Sequence, residues 1–356
     1  MSDFLKFDGV LDRIYNGYCF WRNPEDDTSI VTDLLLNKVL DSSDVHGGNV
    51  NISLVGDFFL ISSRDQKKTA LRNVSSIQDA YFLDIGVGYS KVLLVGDGSA
   101  YYCSGSGIFN LNYKHKSIRF IYVINESTVF ISYFEGGVIF ATRNGKVEHR
   151  NWNGSTLWSV DVNQILSSVG NDLPFILEAE FSSEFIGNNA VIHLSNNGLV
   201  CIDGKTGGFR WYLENALEHD WSFDCNNRIV GVYDSRLRII DSETGVIIAE
   251  RKINAEWAVS DRYNRPLHLY RSLATETHLW AGFMGRGLCA INLDNGDVDY
   301  HVFDGGLCDS KPKVVNNRVF VAIRSGGLGL ESQRQEYILE GAGGYKPDSE
   351  GFFAIP

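Results

Sequence analysis

Five stretches of this 356-residue chain share one spacing. From Gly198 the marks fall five, nine and thirteen residues on, at Asp203, Gly207 and Trp211. Gly145 leads to Arg150, Gly154 and Trp158, and Gly287 leads to Asn292, Gly296 and Tyr300. Arg236 leads to Asp241, Gly245 and Ala249, and Gly98 leads to Cys103, Gly107 and Leu111. Successive copies stand 47, 53, 38 and 51 residues apart. The copy at 197–211 shows what the spacing encodes. Leu199 to Ile202 is a short apolar run. Asp203 then bonds the backbone ahead of it, and Gly207 takes positive φ without a Cβ clash. Phe209 and Trp211 alternate with polar neighbours, as a half-buried strand requires. One such hairpin means little. Five in register make an internal repeat, and repeats of this length built from strands alone are β-propeller blades.

At these residues the chain resembles the repeat of quinoprotein-like β-propellers, over roughly residues 90–305. In that family a glycine opens a strand, an Asp-x-x-Thr-Gly turn follows, and a Trp docks between neighbouring blades. Residues 197–211 match this closely, and Asp241-Ser-Glu-Thr-Gly245 matches the turn although Ala249 replaces the Trp. The copy at 287 has Asn292 for the Asp and Tyr300 for the Trp, and the copy at 145 keeps Trp158 but not the Asp. The resemblance implies that Gly198, Asp203, Gly207, Trp211, Asp241, Gly245, Gly287, Gly296 and Trp158 are structural repeat positions. For enzymes of that type it would imply a quinone over a central channel, a calcium ion and a periplasmic address. This chain has no adjacent cysteines and no second Trp-rich face, so no cofactor is expected.

A propeller uses about 40–50 residues per blade. The chain's length therefore suits one all-β domain over residues 1–356, with seven blades of four antiparallel strands and six or eight as the neighbouring solutions. Glycine is abundant at 36, proline scarce at 6, and aromatics make up 12%, as many tight turns and large strand residues demand. In a ring-shaped fold both chain ends often complete one blade, which removes the open edges. Residues 352–355 or the 10–21 hairpin are candidates for that closure. Insertions interrupt the strands near 161–181, where Val162, Ile165, Leu166 and Val169 have helical spacing, and at 254–277.

Formal net charge is −12. Nucleic-acid binding rests on Lys and Arg neutralising phosphates, so direct DNA or RNA binding is not expected. The acidic balance suits a basic protein partner. No run approaches a membrane span, and the first residues have no basic stretch followed by an apolar core, so a cytoplasmic address is expected. The six cysteines are scattered without a Cys-x-x-Cys pair, and the eight histidines show no metal spacing, so no metal is expected. Asn292 to Asp299 alternates oxygen ligands like a calcium loop but falls on the repeat's own turn and lacks the later bidentate Glu.

No residue set reads as catalytic, and the chain is expected not to be an enzyme. The richest binding candidate is the 254–277 insertion, with Trp257, Asp261, Arg262, Tyr263 and Tyr270, joined by Asp220. Trp, Tyr and Arg are the residues most often found at binding hot spots, and loops carry function on a rigid scaffold. These features point to a non-catalytic cytoplasmic protein-binding propeller, for example an immunity protein or inhibitor that neutralises a basic toxin such as a nuclease. The competing reading is a quinoprotein-like or carbohydrate-active enzyme with a site at the central channel.

Overall fold

In several repeats the second and third strands are largely buried, because both of their faces are covered. Residues Gly137–Thr142 are buried throughout, as are Asn189–His193. Leu199–Asp203 is buried at four of its five positions. The fourth strands differ: Ser117–Val123, Thr156–Asp161 and Ile247–Lys252 are half-buried or exposed throughout. This graded burial follows when flat sheets stack face to face and leave one edge strand outward.

The computed structural model describes residues 5–7, 10–15, 18–22, 29–33, 38–41, 50–55, 57–63, 68–73, 76–83, 90–96, 98–104, 107–124, 128–170, 183–194, 196–253, 269–283, 287–301, 307–308, 312–315, 318–324 and 334–340. Among them, seven sheets have four strands in chain order, as antiparallel meanders. They run over 10–41, 50–83, 90–123, 128–161, 183–213, 218–252 and 269–301. An eighth sheet is built from 307–340 and takes Leu5–Phe7 as its edge, with Lys6 opposite Tyr337. An N-terminal strand thus completes the sheet built from the last described strands. The N-terminal contribution is 5–7; residues 10–21 supply the first two strands of the first sheet, and 352–355 lie outside the described residues.

The chain divides into two compact units. One holds the described residues of Met1–Val10, Ala141–Val147 and Trp158–Asp348, and the other those of Leu11–Phe140 and Glu148–Leu157. In the first unit, the fifth and sixth sheets close on Val191, Cys201, Trp211, Leu217, Trp221 and Ile240. The sixth and seventh close on Val230, Leu237, Ile239, Leu279 and Ile291. In the second unit, Val55, Leu60 and Leu71 of the second sheet meet Ala100 and Leu111 of the third. Cys103 and Ile108 of the third sheet meet Val138 and Phe140 of the fourth. Cys103, Cys201 and Cys289 are buried thiols outside any disulfide, and burial pushes the Cys201 thiol up to about 12.

The 10–21 hairpin is present as Val10–Tyr15 and Tyr18–Arg22, and Ile30 to Leu40, whose apolar run fits a helical turn or a buried strand, divides between the other two strands of the same first sheet. Two sequence readings need correcting. The strands near 81–85 and 118–124 read as openings of new blades, but Ser76–Leu83 and Ser117–Val123 close the preceding sheets. The repeat copy at Gly98 is out of phase. There the turn between strands three and four is Asn112–Lys116, with Asn112 Oδ1 accepting the His115 amide at 2.8 Å and Lys116 at φ 54°. The in-phase series starts at Gly107 and passes Asn112, Lys116 and Phe120. Within each meander the links between strands are all short, so neither composition nor loop length separates one phase from another.

In the first insertion Val162–Ser168 is a helix, N-capped by Asp161 through the Asn163 amide at 2.9 Å and ended at Gly170, φ 84°. Among the described residues no helix is long and apolar enough to cross a membrane.

Candidate functional site

The turns between strands three and four repeat one hydrogen-bond pattern. Asp203 Oδ1 accepts the amides of Lys205 and Thr206 at 2.9 Å each, and the Gly207 amide reaches the Asp203 carbonyl at 2.8 Å. Asp241 accepts from Glu243 at 3.1 Å and Thr244 at 2.8 Å, with Gly245 closing at 2.9 Å. Asn292 accepts from Asp294 at 2.9 Å and Asn295 at 3.3 Å, with Gly296 closing at 2.9 Å. A carboxamide thus serves as well as a carboxylate, because the turn needs only an acceptor oxygen. The 145 copy has its cap one residue past the expected mark: Asn151 Oδ1 takes the Asn153 and Ser155 amides at 3.2 and 3.0 Å. Gly207, Gly245, Gly296 and Gly154 all have positive φ, between 72° and 88°.

Each turn receives a side chain from the preceding sheet's fourth strand. Trp158 donates its Nε1–H to the Gly204 carbonyl at 2.9 Å and lies on Gly207. Trp211 donates to the Ser242 carbonyl at 3.1 Å and lies on Gly245. Tyr122 lies on Gly154, and burial pushes its hydroxyl up to about 12. At the fourth junction Arg251 replaces the aromatic and donates from Nε to the Asp294 carbonyl at 3.0 Å. In both tryptophan joints a ring face lies on a turn glycine and the indole N–H is bonded to the same turn, so these side chains help position the sheets. Gly198 opens its strand with ordinary φ, and its amide reaches Asn196 Oδ1 at 3.1 Å. Gly287 begins the strand Gly287–Asn292, opposite Phe283.

The turn between the third and fourth strands of the fourth sheet also carries Trp152, which belongs to no joint. Its amide reaches the Gly136 carbonyl at 3.3 Å, and Asn151 and Gly154 hold the turn on either side. Trp152 extends over the third sheet, where its ring stacks on Tyr101 at 3.8 Å and 14°. Tyr133 lies parallel to it at 6.1 Å. Tyr101, Asn110 and Arg119 form one row across three adjacent strands of the third sheet, Tyr101 opposite Asn110 and Asn110 opposite Arg119. With Ile121, Trp152 and Asn153 this row lines a groove of about 330 Å³. Arg119 is exposed and, among the described residues, has no hydrogen bond or ion pair. The other fourth-strand arginines are engaged: Arg210 with Asp203 at 2.5 Å and Glu243 at 3.0 Å, and Arg251 as above. The groove therefore offers the sides of a stacked Tyr101–Trp152 pair, two carboxamides and a cation with no partner among the described residues. Aromatic rings beside carboxamides and a cation are the mix of apolar and polar groups found in ligand-binding grooves.

The residues singled out in the sequence lie elsewhere. Trp257, Asp261, Arg262 and Tyr263 lie outside the described residues. Tyr270 sits in the strand Leu269–Ala274, its backbone opposite Gly282, and Asp220 sits in Glu218–Phe223 where the register is irregular. The side chains of both lie outside the described residues. Sequence reading passed over the groove, because its floor is assembled by cross-strand register. The one signal in the sequence is Trp152 itself, a large aromatic inside an Asn-Trp-Asn-Gly turn, where its ring also packs on the core between the third and fourth sheets. Among the described residues no three His, Cys, Asp or Glu side chains converge as a metal group.

No protein-family model matches the chain, and no curated protein matches it in sequence. Solved structures do match. BamB from Moraxella catarrhalis aligns with a TM-score of 0.63 at 11% identity, covering 98% of this chain and 99% of its own. The computationally designed Ika8 protein aligns at 0.62 and 11%, covering 94% and 97%. Sqt1 from Saccharomyces cerevisiae aligns at 0.59 and 12%, covering 96% and 99%. BamB and Sqt1 are β-propellers, BamB with quinoprotein-like repeats. At these identities the likeness speaks for architecture alone, and together with the stacked four-stranded sheets it makes this chain a β-propeller.

Proposed function

We propose that this chain is a single propeller of eight blades, one per sheet, with quinoprotein-like repeats, and that it binds a protein partner without catalysing a reaction. The groove beside Trp152 carries the reading. Rigid aromatics and an arginine at a part-exposed surface are what protein interfaces use as anchors. The net charge of −12 supports a basic partner, steered to the acidic surface over a Debye length of ~8 Å. An immunity protein or inhibitor of a cationic toxin, acting in the cytoplasm, is the concrete form of this reading.

The test is recovery of the native partner with tagged protein from its own cells, followed by surface kinetics with wild type and Trp152→Ala at several salt concentrations. Trp152→Ala should lower the melting temperature, because the ring packs on the core between the third and fourth sheets, and at temperatures where the variant stays folded it should speed dissociation by ~2 kcal/mol, about thirtyfold. Association should slow as salt rises. Unchanged dissociation of the folded variant would move the interface off the groove, and salt-independent association would remove the basic partner.

A further inference from the structure

We infer that the groove captures the free C-terminal end of the partner chain, with a large apolar last residue against Tyr101 and Trp152 and its carboxylate on Arg119. This rests on the reading of the groove as a protein-binding surface and names what occupies it. Three features carry it. First, the two ends of the groove differ in chemistry. Tyr101 and Arg119 sit in one cross-strand row, two strands apart, so their backbones are separated by ~10 Å. The Tyr101 end is walled by the stacked Trp152 ring, and the Arg119 end is a cation with no partner among the described residues. A ligand that satisfies both ends is apolar at one end and anionic at the other, within one residue's length. Asn110 stands between them in the same row, where a carboxamide can pair with a peptide group.

Second, size. About 330 Å³ is at the lower limit of ligand pockets, room for one large side chain and its terminal carboxylate and not for a long segment. Third, charge. A guanidinium recognises a carboxylate through two parallel N–H bonds, and that carboxylate can come from a chain end or from Asp and Glu side chains. An acidic segment would approach a chain of net charge −12 against repulsion. A terminal carboxylate is carried by every chain, a basic one included, so the chain end is the source that agrees with both the local cation and the global charge.

The test uses the full chain and three acetylated tetrapeptides in equilibrium titrations: Gly-Ser-Gly-Phe as the free acid, the same peptide as the C-terminal amide, and Gly-Phe-Asp-Gly as the amide. The free acid should bind at least tenfold more tightly than either amide. Arg119→Gln should reduce its affinity to that of the amide, with melting unchanged because Arg119 is exposed and unengaged. Equal binding of acid and amide, no effect of Arg119→Gln, or no binding of any peptide would overturn the inference. Binding of the internal-Asp peptide as tightly as the free acid would overturn the chain end as the source. Failure of the underlying reading looks different. If the native partner grips Trp152→Ala as firmly as wild type, the groove is not the interface; if it loses grip there while no peptide binds, only the chain-end inference falls.

Discussion

Trp211 lies flat on Gly245, so close that a Cβ on that glycine would stand 2.6 Å from the indole Cδ2. Gly245 is held at φ 72° as the last residue of its turn. Two separate constraints therefore select glycine there. Gly136 has the first constraint without the second: φ is 77°, and nothing lies within 4 Å of where its Cβ would be. Gly136→Ala should cost ~1–2 kcal/mol, the penalty of the left-handed region. Gly245→Ala should cost ~1–3 kcal/mol more, because the ring must move and the sheets with it. Chemical denaturation of both variants decides this; equal losses would show that the indole yields freely.

The Ser242 carbonyl accepts from Trp211 Nε1 at 3.1 Å and from Asn189 Nδ2 at 3.3 Å. Trp211→Phe removes one of these bonds and keeps most of the apolar contact, so a loss of ~1–2 kcal/mol is expected. Trp211→Ala should cost ~3–5 kcal/mol through the cavity it leaves. Partner binding at temperatures where both variants remain folded should be unchanged. Lost binding with unchanged melting would assign Trp211 to an interface instead of a joint.

Acid should loosen the repeat turns. The Arg210 hydrogen bond, helped by the Thr206 and Lys205 amides, holds the Asp203 carboxyl down to about 2. The Thr244 hydroxyl and amide hold Asp241 below its usual range. For a carboxyl depressed on folding, the stabilisation is complete above the unfolded value near 3.8 and is lost as pH falls toward the folded value. Asp203→Asn keeps the amide bonds, as Asn292 does in its own turn, and gives up the ion pair. Its stability should consequently fall less than that of wild type between about pH 4 and pH 2. Parallel acid titrations would refute this if the two curves kept the same slope.

His149 is buried, with its ring edge-on to Phe134 at 5.5 Å, and burial lowers its pKa below the ordinary 6.5. His278 is lowered by burial as well. A base depressed on folding stays neutral in the native state while the unfolded chain takes up a proton. Stability is therefore full above 6.5 and declines as pH falls below it. His149→Gln should flatten the decline between pH 6.5 and 5 without abolishing it, since His278 still contributes. A slope identical to wild type would mean that His149 is protonated in the folded protein.

How far the residues alone reach can be seen at particular positions. The hairpins at 203–207 and 241–245 are legible because an acceptor side chain, a glycine four residues later and flanking apolar runs specify them locally. The helix at Val162–Ser168 is legible for the same reason. The phase of the third sheet is not: Gly98 and Gly107 both present a glycine before an apolar strand, and only pairing with Ser117–Val123 shows which strand closes the blade. In the first sheet the 10–21 hairpin is legible, but its two further strands are not, because residues 29–41 carry no repeat marks.

The same division holds for function. Net charge, scattered cysteines and the repeat spacing are properties of the chain, and they determined the all-β class and the expectation of a protein partner. Which side chains meet is a property of register and of how one sheet's turn overlies the next. Tyr101, Asn110 and Arg119 are nine residues apart at each step and become neighbours only through antiparallel pairing. Trp152 reaches Tyr101 from another sheet altogether. Short-range chemistry writes the strands and turns into the sequence, whereas the groove depends on contacts between residues far apart in the chain, which no local pattern encodes.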